Sequence, residues 1–518
     1  MSKAEKIEKD GFYYTSTDYK NICGIDPEKF EDGIIHFPDD VTIMQNVFDE
    51  LYESEITISN VIIPPRTLID KNAFRVFNPV CKTKCEIEKI TFEEGKVSIS
   101  DDALAFSPFK KVILPKSVKA LGDHAFYNMK NLKNIDLFYV ETIGPAALSR
   151  TGIENIKFGK NIKKLGIGIC EGCKDLREAT YDCDLSIPNK LFLNCFRLKS
   201  VTIDQFASIP SIGEDAFTST SISDFTFPPS VSEIGRRAFA KTLFEEIFIP
   251  LNVKVIAFET FRNCYNLKKV IFEDNDEKPD LILGPSLFEE TAITSLTIPH
   301  RTSSMSAVCR NMEKLEDLVI LANIKKIPES FASNCVALKN VTFAFQPNSI
   351  LNSAFYGTRL STFNFTKEMS IDTDSFEGCS FEDVLFDEEV FLARYAFEKQ
   401  QRLDGTPIDT NVFVTASHFD LVSLSEAFSD NVHMFINKDV IKTFDKSILK
   451  MKPFRDFIYL PKEDVEYIFR LSPVEKKLFV DVIFNENKNE AFTKAAKEEL
   501  LSIRQMSKLD KIVKDFEK

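Results

Sequence analysis

Tryptophan is absent from the 518 residues, and histidine is scarce at five. His36, His124, His300, His418 and His433 stand in no Ser/His/Asp or Cys/His signature, so nucleophilic catalysis has no visible constellation. Long apolar runs are absent as well. No stretch approaches the roughly 18 consecutive apolar residues of a membrane-crossing helix. The opening MSKAEKIEKDGFYYTSTDYK has no apolar core of a secretory signal, and the closing KIVKDFEK is no prenylation box. The expectation is a cytoplasmic chain without membrane insertion, with surface exposure by a non-signal route as the alternative. Excess basic charge is missing too. The net charge is −14, and residues 439–518 hold 17 Lys+Arg against 15 Asp+Glu, leaving 48 against 64 elsewhere. So acidic a chain is not expected to bind nucleic acid or an anionic membrane through bulk charge.

The eleven cysteines are too dispersed for a compact disulfide framework. Cys81-x3-Cys85 and Cys170-x2-Cys173 lack a matching second pair with nearby His, so no metal is expected. Gly166-Ile167-Gly168 lacks the strand and helix of a dinucleotide site, and Gly159-Lys160 has no phosphate loop around it. No cofactor is expected.

What is abundant is phenylalanine, 48 residues against 12 Tyr. Phe217 and Phe239 lie 22 residues apart, and the interval recurs along most of the chain. A fixed period of this size marks a solenoid. One half of each unit reads L-x-x-V-x-I, often closed by Pro, as in Ile222-Phe225-Phe227-Pro228 and Phe244-Ile247-Ile249-Pro250. Its last apolar positions alternate, so they face one side of a short strand. The other half reads I-G-x-x-A-F, as in Ile212-Gly213 to Phe217 and Ile234-Gly235 to Phe239; the glycine is expected to serve a tight turn. The linkers have two lengths. One places Cys three residues after the Phe site and Leu three later, as in Cys173/Leu176 and Cys264/Leu267. The other places Thr there and an apolar residue two later, as in Thr151/Ile153 and Thr242/Phe244. A buried Cys/Thr column is the expected result.

These motifs resemble the BspA-like leucine-rich repeat, with Pro228–Phe239 (PPSVSEIGRRAF) the best single match. The resemblance implies a leucine-rich-repeat solenoid and protein binding, often in cell-surface adhesion. The expected fold is an α/β repeat solenoid. It has a parallel β ladder of about fifteen rungs, about 4.8 Å apart, and a C-terminal α-helical segment. The expected divisions are an N-terminal cap (1–54), the solenoid (55–397), a linker with a degenerate rung at Ser425–Phe428 (398–438), and a helical C-terminal domain (439–518). In that last part, Ser472-Pro473-Val474-Glu475 reads as a helix start running to about Phe484. Leu500, Ile503, Met506, Leu509, Val513 and Phe516 form an apolar stripe suited to packing or self-association.

The residue between V and I of each strand points away from the core. The outward row includes Ile62, Thr91, Ile113, Asp136, Lys157, Thr180, Thr202, Thr226, Phe248, Ile271, Thr297, Val319, Thr342, Asn364 and Leu385. Threonine suits an exposed strand, whereas Phe248 and Ile271 on neighbouring rungs would make an apolar patch, unless the C-terminal segment or a loop covers them. The candidate protein-binding residues are Thr226, Phe248, Ile271, Thr297 and Val319. The expected function is a non-enzymatic scaffold binding a protein partner through the solenoid face. The alternatives are a surface or released adhesin and a component of a cytoskeletal assembly.

Overall fold

The computed structural model describes residues 6–30, 32–49, 56–75, 86–402, 404–428, 432–443 and 457–484. It forms two compact units. The first is Met1–Asp274 with Leu281–Ala292, and the second is Asn275–Asp280 with Ile293–Lys518. The paired cysteines 81 and 85 and the stripe from Leu500 to Phe516 lie outside the described residues.

Each unit is a parallel β solenoid whose rungs contribute to two separate ladders. In the first unit, the L-x-x-V-x-I halves pair in register: Asn155–Phe158, Glu178–Tyr181 and Ser200–Ile203 form one run, and Glu246–Ile249 pairs with Lys269–Phe272. The I-G halves form the second ladder from two-residue strands, as in Ser98–Ile99, Ala120–Leu121, Thr142–Ile143 and Lys164–Leu165. Between them the turn segment has a rung-to-rung ladder of its own. The amides of Asp215, Phe217 and Ser219 donate to the carbonyls of Arg236, Ala238 and Ala240. Alternate amides can all face the next rung because Asp215 and Ser219 adopt left-handed φ of 55° and 60°.

Two expected strands of the first unit, at 132–137 and 222–227, follow the rung path without joining a ladder. At 222–227 both inward positions are phenylalanine. The Phe225 and Phe227 rings lie 5.1 Å apart and both pack on Phe239, more bulk than the usual Val/Ile pair presents. At 132–137 the carboxylate of Asp136 accepts from the Phe138 amide at 2.9 Å, so a turn begins where the strand would continue.

The core is a stack of rings. Phe192, Phe217, Phe239, Phe261 and Phe288 follow one another with centroids 5.1–5.8 Å apart. Beside them runs the Cys/Thr column. Thr151, Thr220, Thr242 and Thr291 each donate to the carbonyl three residues back, and Cys173 and Cys264 lie 3.3 and 3.2 Å from Thr151 and Thr242. At one end an antiparallel meander, Ile7–Lys9, Phe12–Tyr14 and Asn21–Ile25, joins the short ladder through Thr42–Ile43.

The second unit repeats this plan. Its long ladder runs through Ser295–Ile298, Asp317–Ile320 and Asn340–Phe343, is interrupted at 360–365 where Phe363 and Phe365 both point inward, and resumes at Asp383–Phe386. It then continues through Thr410–Val414, Val432–Asn437 and Phe457–Leu460, so paired strands lie on both sides of residue 439. Its Phe stack is Phe355, Phe376, Phe397 and Phe428. Phe428 follows helix α1 (Leu421–Ala427), whose last turn takes the place of an I-G-x-x-A segment. Helices α2 (Lys462–Phe469) and α3 (Pro473–Phe484) close the unit.

Candidate functional site

Strand register fixes the outward row, because alternate residues of a pleated strand face opposite sides. In the first unit it places Ile62, Thr91 and Ile113 side by side, then Lys157, Thr180 and Thr202, then Phe248 and Ile271. In the second unit it aligns Thr297, Val319 and Thr342. Thr226 is exposed but lies on the unpaired rung at 222–227. Thr297 is exposed and Val319 half-buried.

Phe248 is 50% exposed, and Ile271 lies directly across the ladder from it, half-buried. Below them Ile247 and Ile249 are buried, so the phenyl ring is not there to fill the core. Beside them Glu245 meets Lys268 at 3.1 Å and Glu246 meets Lys269 at 3.2 Å. All four charged side chains are largely exposed, so each pair contributes little stability, roughly 0–1 kcal/mol. They form a polar margin to an apolar centre.

The row changes character at the other end of the second unit. Leu385, Phe413, Phe435 and Ile458 occupy successive outward positions. Phe413 and Phe435 are fully buried, and with Ile458 they form a cluster with Val465 and Ile468 of α2 and Phe479 of α3. The cover is held down by Lys476 of α3, which pairs with Asp383 and lies 5.6 Å from the Phe413 ring and 5.0 Å from the Phe469 ring. The C-terminal helices therefore cover the outward row, but over Leu385 to Ile458. Sequence reasoning listed Leu385 in the row and missed the three residues after it. Phe413 and Phe435 belong to segments, NVFV and VHMFIN, that are apolar on both faces and so show no alternation.

Cys170, Cys195, Cys264, Cys309, Cys335 and Cys379 are buried free thiols, and burial pushes Cys264 to about 11 and Cys335 and Cys379 to about 12. Among the described residues no group of His, Cys, Asp and Glu is placed to hold a metal ion, and no helix is long and apolar enough to cross a membrane.

No curated protein matches the chain. Among solved structures, a leucine-rich repeat protein from Bacteroides ovatus is 14% identical, covering 88% of this chain and 99% of its own, with a TM-score of 0.41. The pneumococcal vaccine antigen PcpA is 15% identical over 83% of this chain and 98% of its own, at 0.39. A leucine rich cell surface protein from Faecalibacterium prausnitzii is 18% identical over 66% and 95%, at 0.32. The model of the BspA type leucine rich repeat region matches in six copies, over residues 41–177, 185–309 and 281–404. With the matched residues spanning most of the sequence and the rungs built as that repeat requires, the chain belongs to the BspA-type leucine-rich-repeat family.

Proposed function

We propose that the chain is a non-enzymatic scaffold that binds a protein partner through its outward row, centred in the first unit on Phe248 and Ile271. The observation that carries this is a half-exposed phenylalanine and an isoleucine in register on a strand face, bordered by two ion pairs, with Thr226 exposed on the preceding rung. An apolar centre with a polar rim is the anatomy of a protein interface, and aromatic anchors dominate the energy of such interfaces. The second unit supports the reading from within the chain. There the equivalent row, Leu385 to Ile458, packs against the apolar side chains of α2 and α3. Thr297 and Val319 are assigned the same role in the second unit. Neither a cofactor nor nucleic acid is part of the reading.

The test is the double variant Phe248→Glu with Ile271→Glu. It should lose the partner captured by the native protein while keeping its unfolding transition. Retention of the partner would remove the face from the account. A cytosolic scaffold or a surface adhesin could use this same face, and the proposal places the chain in the cytosol. Protease treatment of intact cells should therefore leave it whole, and its loss from unpermeabilised cells would establish the adhesin reading instead.

A further inference from the structure

The two linker lengths have a consequence for the surface of the first unit. Met129-Lys130-Asn131-Leu132, Cys173-Lys174-Asp175-Leu176 and Cys195-Phe196-Arg197-Leu198 carry two residues between the buried column and the next apolar site, whereas Thr151-Gly152-Ile153 carries one. The short rung lies between long ones. Its single linker residue has no side chain and is pressed inward, since a Cβ on Gly152 would lie 2.0 Å from the Lys130 carbonyl oxygen. A hollow is left over Gly152, with a volume of about 770 Å³. That is within the range of small-molecule sites.

The lining is cationic in an acidic chain. Lys130, Arg150 and Lys174 converge on the hollow, and none of the three has an ion pair or a side-chain hydrogen bond among the described residues. Arg150 has only the Tyr127 ring, at 5.7 Å. Of the two lining carboxylates, Asp175 is already engaged by Arg197 at 3.0 Å and Lys133 at 3.4 Å, while Glu171 stands uncommitted. Three free cations against one free carboxylate repel one another until an anion enters. The remaining lining is not that of a bare phosphate site. Asn128 and Asn194 offer amides, Glu171 offers an acceptor that an inorganic oxyanion would avoid, and Phe196, 52% exposed, supplies an apolar wall.

We infer that this hollow binds an anionic saccharide. The carboxylate or sulfate of the sugar sits among Lys130, Arg150 and Lys174, where charge-assisted hydrogen bonds are strongest. Its hydroxyls meet Asn128, Asn194 and Glu171, and the C–H face of its ring lies on Phe196. The site is separate from the outward row and does not depend on the proposed function.

The experiment is calorimetric titration of the full-length protein at low salt with four probes: glucuronic acid, 6-sulfated N-acetylglucosamine, glucose and inorganic phosphate. Saturable binding of one or both acidic sugars, with glucose at least about tenfold weaker, is expected, and the two acidic probes tell carboxylate from sulfate recognition. Lys130→Ala with Lys174→Ala should weaken binding about tenfold or more at an unchanged Tm. Arg150→Asn should do the same, because Asn tolerates the left-handed backbone of Arg150, at φ 57°. Phe196→Ala should weaken the sugars and leave phosphate unaffected. Failure of both acidic sugars to bind, glucose binding equally well, or phosphate binding as tightly as the sugars with Phe196→Ala silent would each overturn the inference.

Discussion

Gly235 shows what a single position does in this repeat. Sequence reasoning gave the I-G glycine to a tight turn in which a Cβ would be costly, and the cost is there without a left-handed backbone at the glycine. The structure gives the left-handed conformation to other residues: Asp215 and Ser219, then Arg237 and Lys241, then Glu259 and Asn263. Their identities differ from rung to rung, so one sequence carries no signal for them. The glycine is required by close approach. A Cβ on Gly235 would lie 2.8 Å from the Glu214 nitrogen, the Gly213 carbonyl carbon and the Ile212 oxygen, all backbone. Gly235→Ala should cost about 1–3 kcal/mol in denaturant unfolding, as overpacking against a rigid neighbour does. The left-handed positions carry charge across the rungs. Arg237 forks onto the nearly buried Asp215 at 2.9 and 2.8 Å. Burial opposes the ionisation of Asp215, yet this fork and the Thr218 hydroxyl hold its carboxyl below the ordinary range. Arg237→Ala would leave that carboxylate unpaired and should cost about 3 kcal/mol at neutral pH. Because the Asp215 pKa is depressed, its contribution is present above the ordinary carboxylate value and fades as pH falls through the folded one. The buried thiols of Cys264 and Cys379 act at the other extreme. Folded thiols at about 11–12 stay protonated where unfolded ones near 9 ionise, so their contribution is intact below pH 9 and is lost as pH rises toward 12. Urea unfolding between pH 8 and 11 should show a steady fall in stability, and thiol alkylation at pH 8 should spare Cys264 and Cys379 until the protein unfolds.

Among the elements, α3 was the most legible and the strands before it the least. Its start is fixed by a reciprocal pair: the Ser472 amide donates to the Glu475 carboxylate at 2.8 Å, and the Glu475 amide to the Ser472 hydroxyl at 3.3 Å. This is the capping box that Ser-Pro-Val-Glu spells. Ser472→Ala should lower the stability of the second unit by about 1 kcal/mol. Val432–Asn437 and Phe457–Leu460 did not read as rungs. A strand with core on one face and helices on the other has no polar side to alternate with. Removing residues 461–518 should uncover Phe413 and Phe435, and the shortened chain should bind a hydrophobic dye and self-associate in light scattering. A shortened chain that stays monomeric and dye-free would show that α2 and α3 are not the cover they form here. The interruptions at 222–227 and 360–365 were legible in principle, since each puts Phe at both inward positions, but the ring packing that lifts the strand off its ladder appears only in three dimensions.

At the scale of the whole molecule, period and motif were enough for the repeat and its family, because each rung repeats the same burial problem and solves it with the same residues. The face that binds was less legible. The outward row is read from alternation alone, and alternation does not tell an exposed Phe248 from a covered Phe413. The cover over Phe413 comes from α2 and α3, which follow it by about 50 residues or more in the same unit. In the proposed function, Phe248 and Ile271 form the heart of a protein-binding face. The most direct measurement is affinity purification of the tagged native protein from its own cells beside the Phe248→Glu/Ile271→Glu variant, with thermal unfolding of both. A discrete partner is expected with the native chain and its loss from the variant, with the same Tm for the two. A partner retained by a folded variant would contradict the proposed function.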